Sequence, residues 1–162
     1  MKEILVGRKT NGSTNGNTFN EAPNITKLAN EGMRFTDAYA ACPVCSPTRA
    51  SIVSGQYPAR CGVIDFIPGH WRPFEKLTVP KNRTQYLPAE LHTIGEVAQS
   101  AGYQTGYFGK WHLGKEGHYP EQNGFDVNFG GCENGGPGKG GYTSPYNNPK
   151  IKDGPVGEYL TE

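Results

Sequence analysis

Hydrophobic residues in this chain occur in short groups between long polar stretches. Residues 23–31 carry one apolar helical face, and Pro23 at their start and Gly32 after their end are typical of helix boundaries. Residues 33–40 alternate apolar and polar side chains and are predicted to form a strand. The first ordered part of the chain is therefore predicted to be a helix followed by a strand.

A second helix is predicted from Pro47 through Ser54 to Gly55, and residues 56–90 are predicted to be a loop broken by prolines. Residues 93–96, TIGE, match a capping box and predict a third helix that stops at Gly102. Residues 103–108 then favour a strand.

Other parts of the chain give weaker patterns. The apolar residues 4–6 fit either an edge strand or no element, and from Gly114 onward the glycines and prolines favour no helix. Alternation of strands and helices nevertheless predicts an α/β fold with a partly parallel sheet. Too few strands are predicted to complete that sheet.

Composition narrows the function classes. The 162 residues suffice for one domain with a core, but 23 glycines and 13 prolines indicate much irregular structure. Sixteen basic against fifteen acidic residues give a net charge of +1, so we expect no nucleic-acid partner. The sequence contains neither an apolar run long enough to span a membrane nor an N-terminal segment typical of a signal peptide.

The stretch CPVCSPTRASIVSG, residues 42–55, allows four interpretations. Cys42 and Cys45 supply two zinc ligands, but no second pair follows at a suitable spacing. A redox pair gives no role to the residues that follow Cys45. Two buried packing cysteines are the plainest interpretation of each residue alone.

The fourth interpretation uses the whole stretch. A helix that starts at Pro47 presents free N–H groups and a positive dipole end, which together bind anions. Cys45 would be a nucleophile at that end, and Arg49 can offer a bidentate guanidinium to an oxyanion. This combination suits attack on a sulfate or phosphate ester.

The string from Cys45 to Gly55 resembles the first signature of the type I sulfatases, Cys-x-Pro-x-Arg followed by small and aliphatic residues and a glycine. A second string, GYQTGYFGKWHLG at residues 102–114, resembles their second signature. Similarity to the family extends from about Thr18 to the end. The resemblance implies an alkaline-phosphatase-like sulfatase fold, α/β with a mostly parallel sheet, and hydrolysis of sulfate esters such as sulfated carbohydrates or aryl sulfates.

The resemblance also implies a set of catalytic residues. Cys45 would be converted by a formylglycine-generating enzyme to formylglycine, whose hydrated aldehyde attacks sulfur. Arg49 would hold the resulting diol, Lys110 would bind the sulfate, and His112 would hydrogen-bond the diol and assist proton transfer. Cys42 is interpreted as a packing residue.

Two other histidine positions carry weaker interpretations. His92 stands beside the capping box and is interpreted as structural. The pair at positions 70–71, His-Trp, lies in the proline-rich loop where it could touch substrate.

The N-terminus departs from the family pattern. Family members bind one divalent cation, usually calcium, through formylglycine, a pair of aspartates and further ligands, and oxygen ligands suit a hard cation. Residues 1–17 contain no aspartate pair, so Cys45 as formylglycine would be the single ligand supplied here. We therefore expect residues 1–17 to be divergent or mis-translated, through a frameshift or a mis-called start. Residues 18–162 would be a truncated N-terminal part of the catalytic domain, weakly active or inactive.

The sequence is also compatible with two alternatives. One is a phosphoryl-transfer enzyme of the alkaline phosphatase superfamily, although such enzymes use a serine or threonine nucleophile and two zinc ions. The other is a fragment that binds an anion without catalysis. The family is usually exported, and the sequence leaves the compartment open.

Overall fold

The computed structural model describes residues 4–6, 22–35, 37–69, 76, 83–137 and 141–160. The chain divides into two compact units, Met1–Ala40 and Ala41–Glu162. The predicted boundary between residues 17 and 18, and the predicted substrate contact at residues 70–71, lie outside the described residues.

The first unit is a strand, a helix and a parallel strand. Strand β1 (Ile4–Val6) pairs in parallel with β2 (Met33–Phe35), and helix α1 (Pro23–Glu31) precedes β2. Pro23 opens the helix as predicted, since its missing N–H is not needed in a first turn. The N–H of Gly32 closes it by donating to the Leu28 carbonyl at 2.9 Å.

The strand predicted over residues 33–40 is shorter than expected. It ends at Phe35, and residues 37–40 have no regular structure. Its register with β1 puts Ile4 opposite Met33 and Val6 opposite Phe35, so the pairing ends where β1 ends. A strand propensity without a partner strand does not extend the ladder.

The second unit contains the remaining elements, which are short helices and one strand pair. In chain order they are α2 (Cys45–Ser54), α3 (Pro58–Cys61), α4 (Ile94–Ser100), β3 (Gly106–Phe108), a 3₁₀ turn (Pro120–Gln122) and β4 (Val127–Phe129). Strands β3 and β4 pair in parallel, with Gly106 opposite Val127 and Phe108 opposite Phe129. Parallel pairing is as predicted, while helix α3 was missed inside the predicted loop.

Helix α2 begins two residues before the predicted start. Pro47 therefore occupies the third helical position, where the absence of an N–H still costs no intrahelical bond. Gly55 ends the helix as predicted, in the left-handed conformation with φ of 68°. Cys45 is therefore the first residue of the helix, beside its free N–H groups.

The capping box of α4 is confirmed. The Glu96 N–H donates to Thr93 Oγ1 at 3.1 Å, and the Thr93 N–H donates to a Glu96 carboxylate oxygen at 2.8 Å. The strand predicted over 103–108 starts only at Gly106, because the Tyr103 N–H is already bonded to the carbonyl of Ala98 at the helix end.

The core of the second unit lies between α2 and the segment that follows β3. Its fully buried members include Ala50 of α2 and Trp111 and Leu113 of that segment. The Tyr107 ring meets Trp111 edge to face at a centroid distance of 5.0 Å. Burying each large side chain stabilises the fold by about 1.5–3 kcal/mol, so this core fixes α2 against residues 111–113.

Candidate active site

Cys45 lies at the N-terminal end of α2. It is half-buried, has a free thiol and follows Val44, an extended residue whose side chain cannot cap the helix. The first N–H groups of a helix have no intrahelical acceptor, and the helix dipole adds positive charge there. The thiol therefore lies where a negative charge is stabilised.

Ser46 connects α2 to the second signature. Its side chain is fully buried, donates to the His112 carbonyl oxygen at 2.8 Å and accepts from the Ile67 N–H at 3.2 Å. A buried hydroxyl that both donates and accepts a hydrogen bond stabilises the packing of the segments that it joins. The residue that follows Cys45 is thus bonded directly to the backbone of His112.

Arg49 makes the second connection, one helical turn after Cys45. Its Nη1 donates to the Lys110 carbonyl oxygen, and to the Tyr107 hydroxyl at 3.3 Å. The Tyr107 hydroxyl in turn donates to the same Lys110 carbonyl at 2.6 Å. In the described part of the chain no carboxylate forms a salt bridge with Arg49. The guanidinium therefore keeps its positive charge unneutralised by any described residue.

Lys110 is half-buried and lines a cavity of about 400 Å³. Its backbone carbonyl is fixed by the bonds to Arg49 and Tyr107. A lysine among the residues that line a cavity is suited to bind the anionic part of a ligand.

His112 is buried, 5% exposed, and has an unusual backbone with φ of 58°. Left-handed backbone is uncommon outside glycine and costs about 1–3 kcal/mol at such sites. Its Nε2 lies 2.6 Å from the Ile67 carbonyl oxygen, and a carbonyl can only accept, so Nε2 carries the proton. Nδ1 is then an unprotonated acceptor, and it is buried without a hydrogen-bond partner in the described part of the chain.

Burial lowers the pKa of His112 below its ordinary value. The hydrogen bond to Ile67 opposes this shift, and the charges of Lys110 and Arg49 add to it. The imidazole is therefore neutral at pH 7, with the Nδ1 lone pair free to accept a proton. Burial also raises the pKa of Tyr107, although Arg49 opposes the rise, so the phenol stays neutral.

The lowered pKa of His112 makes stability fall in mild acid. Unfolded histidine takes up a proton near pH 6.5, whereas the folded imidazole does so only at lower pH. Unfolding therefore binds a proton, and we expect the free energy of unfolding to decrease as pH drops from 7.5 to 5. Urea denaturation across this range measures the slope.

The matched control for that measurement is the exposed His92. His112→Gln should flatten the histidine part of the slope, and His92→Gln measures what a substitution at an exposed histidine does by itself. Equal slopes in the wild type and in His112→Gln would contradict the assignment.

No cluster of three or more His, Cys, Asp or Glu that could hold a metal ion occurs within the described residues. Besides Cys45, the candidate residues are the cations Arg49 and Lys110 and a buried neutral imidazole, which do not fit a calcium site with its six to eight oxygen ligands. The described residues alone thus do not make the calcium site that the resemblance implies.

Sequence reasoning missed three contributors to this arrangement. Tyr107 fixes Arg49, Ser46 links α2 to His112, and Gly135 packs against the imidazole. None of these contacts is readable from spacing, since each joins segments at least 23 residues apart: Ser46 and His112 are 66 apart and Arg49 and Tyr107 58 apart. The predicted packing residue Cys42 is half-buried, and its N–H donates to Thr48 Oγ1 at 3.1 Å.

Comparison with known proteins decides the family. The Sulfatase family model matches residues 6–162. The chain belongs to the sulfatase family. Arylsulfatase G from Homo sapiens is 39% identical over 146 residues, which cover 85% of this chain and 24% of that protein. N-acetylgalactosamine-6-sulfatase from Sus scrofa is 38% identical over 116 residues, 71% of this chain and 22% of that protein. This sulfatase chain thus spans about a quarter of the length of these relatives.

A solved structure also resembles the chain. It is described as Ps i-CgsB in complex with k-i-k-neocarrahexaose, and the similarity has a TM-score of 0.61 at 26% identity. It covers 98% of this chain and 37% of that one. The alkaline-phosphatase-like α/β fold expected from the sequence is thereby confirmed. Within the described residues no helix is long and apolar enough to cross a membrane.

Proposed function

We propose that this protein hydrolyses sulfate esters, with a formylglycine derived from Cys45 as the nucleophile. The observation that carries the proposal is the double connection between the two signature segments: Ser46 is bonded to the His112 carbonyl and Arg49 to the Lys110 carbonyl. These bonds hold the segment with Cys45 and Arg49 against the segment with Lys110 and His112, which supports one shared site. Membership of the sulfatase family supports the same reaction.

The reaction uses both oxygens of the hydrated aldehyde. One diol oxygen attacks sulfur, the bond from sulfur to the ester oxygen breaks, and the alcohol leaves with a proton. The second diol hydroxyl then loses its proton, its oxygen reforms the C=O bond, and sulfate is expelled. Water adds to the aldehyde and restores the diol. A formylglycine-generating enzyme is the partner that this chemistry requires.

The other candidate residues each have a role in this reaction. Arg49 and the N-terminus of α2 stabilise negative charge beside residue 45. Lys110 binds the sulfate oxygens from the cavity side. His112 accepts a diol proton at Nδ1, because Nε2 is committed to the Ile67 carbonyl. Family membership supports calcium as a cofactor, although the described residues alone do not make its site.

The proposed substrates are sulfated carbohydrates or aryl sulfates. Of the proteins compared above, one is named for N-acetylgalactosamine 6-sulfate, one is named an arylsulfatase, and the solved structure is in complex with k-i-k-neocarrahexaose. These names support a ring-bearing sulfate ester.

The test compares hydrolysis of a sulfate ester and a phosphate ester that share the leaving group 4-nitrophenol. The chain, co-expressed with a formylglycine-generating enzyme, is assayed with 4-nitrophenyl sulfate and with 4-nitrophenyl phosphate. We expect release of 4-nitrophenol from the sulfate ester at a higher kcat/KM than from the phosphate ester. Preference for the phosphate ester would favour phosphoryl transfer, and no release from either would favour an anion-binding protein.

A further inference from the structure

The cavity beside Lys110 has the position and the lining of a substrate subsite. Its volume of about 400 Å³ lies at the small end of the range for ligand pockets, about 300–1,000 Å³. Both Lys110 and Gly135 line it. Gly135 lies against the imidazole of His112, so near that a Cβ there would come within 2.8 Å of Cε1. The cavity is therefore lined by the residue that the proposed function places on the sulfate, and it adjoins the imidazole that accepts the diol proton.

One wall of the cavity is a folded-back segment, residues 141–160. Thr143 and Tyr159 pair in antiparallel fashion, and the Leu160 N–H donates to the Tyr142 carbonyl at 2.8 Å. Lys150 attaches the segment to the rest of the unit, since its ammonium lies 2.6 Å from a Glu121 carboxylate oxygen and 4.9 Å from the centre of the Tyr119 ring. The wall is thus already positioned before a ligand binds, which lowers the cost of binding.

The lining indicates the kind of ligand. Apolar and aromatic side chains dominate it, with Phe129, Tyr142, Ile151 and Leu160 among them, and Lys110 is the one charged residue that the structure describes there. Such a surface suits a ring with an apolar face and disfavours a second anionic group, because Lys110 is the one described charge there and would already bind the sulfate. The small volume favours one ring over an extended chain.

Tyr142 is the lining residue best placed to recognise that ring. Its side chain is 56% exposed, so much of its surface is open to a ligand. Its own ring neighbour, Tyr159, is 6.2 Å away between centroids. Aromatic faces bind flat or apolar-faced rings by stacking.

We infer that this cavity receives the six-membered ring that carries the sulfate ester, and that Tyr142 packs against the apolar face of this ring. The inference rests on the proposed function, because Lys110 must hold the sulfate for the ring to enter the cavity. The ring can come from a pyranose or from an aryl sulfate, and both share the apolar face that the wall recognises.

The test measures binding of three esters by isothermal titration calorimetry. Phenyl sulfate and a methyl galactopyranoside carrying one sulfate each have the ring, whereas methyl sulfate has none. Tyr142→Ala should weaken binding of at least one ring ester about fivefold and leave methyl sulfate unchanged. Tyr142→Phe should retain the wild-type affinity. Whichever ring ester loses affinity identifies the source of the ring.

Tyr103→Ala is the matched control, because Tyr103 is 70% exposed and does not line the cavity. Ring-ester affinity within twofold of wild type in Tyr142→Ala, or an equal loss for methyl sulfate, would overturn the inference while leaving the proposed function intact. Failure of the wild-type chain to bind any of the three esters would instead count against the proposed function, and the inference would fail with it.

Discussion

Replacing Cys45 by serine is expected to stop turnover after a single sulfate transfer. Serine at the N-terminus of α2 keeps one hydroxyl in the environment that stabilises negative charge, so it can attack sulfur. It lacks the second hydroxyl that expels sulfate, and the sulfated enzyme accumulates. We expect kcat to fall about a thousandfold or more, with a covalent sulfate detectable by mass spectrometry on the peptide that contains residue 45.

The chain contains a matched control three residues earlier. Cys42 is also a half-buried free thiol, and its recorded bonds to Thr48 use only its backbone N–H and carbonyl. Cys42→Ser should therefore keep kcat within about twofold of wild type. Equal losses in the two variants would mean that residue 45 has no special role.

Gly135→Ala is expected to displace His112 and to reduce turnover strongly. A methyl group at position 135 would lie 2.8 Å from Cε1, 3.1 Å from Nε2 and 3.3 Å from Nδ1 of the imidazole. The ring is buried and bonded to the Ile67 carbonyl at 2.6 Å, so it cannot move without weakening that bond. We expect a loss of about 1–3 kcal/mol in the free energy of unfolding, and a fall in kcat of about a hundredfold.

Gly136→Ala is the matched control, because it adds the same methyl group to the same loop without a contact to His112. A methyl group at Gly136 would meet nothing within 4 Å. Gly136→Ala should change the free energy of unfolding by less than about 0.5 kcal/mol and keep kcat. NMR titration of His112 adds a direct observation, since its pKa should change in Gly135→Ala only. An unchanged titration in both variants would contradict the contact.

Local sequence signals predicted the elements that depend on local chemistry. Pro23 marks the start of α1, Gly55 ends α2, and the Thr93–Glu96 capping box opens α4, each because a backbone group at a helix end needs a partner or a special conformation. Strand lengths were overestimated, because the pairing of β2 and β3 is set by partner strands far away in the sequence. The start of α2 was placed late because proline fits equally well at the first and third helical positions.

In the candidate site, too, the local sequence predicted some features, whereas others depend on residues far away in the chain. Cys45, Arg49, Lys110 and His112 could be chosen from two signature strings, and the structure brings these strings together through Ser46 and Arg49. The free acceptor Nδ1 of His112 could not be predicted, since it depends on burial, a left-handed backbone and a carbonyl 45 residues away in sequence. The catalytic roles of the four residues stay predictions.

The most direct measurement is a fragment-ion mass spectrum of the tryptic peptide 35–49, prepared from cells that contain a formylglycine-generating enzyme. This peptide holds Cys42 and Cys45 together, so the fragment ions must distinguish the two positions. We predict an aldehyde at residue 45 and a thiol at residue 42. A thiol at residue 45 would contradict the central claim that this residue becomes the nucleophile.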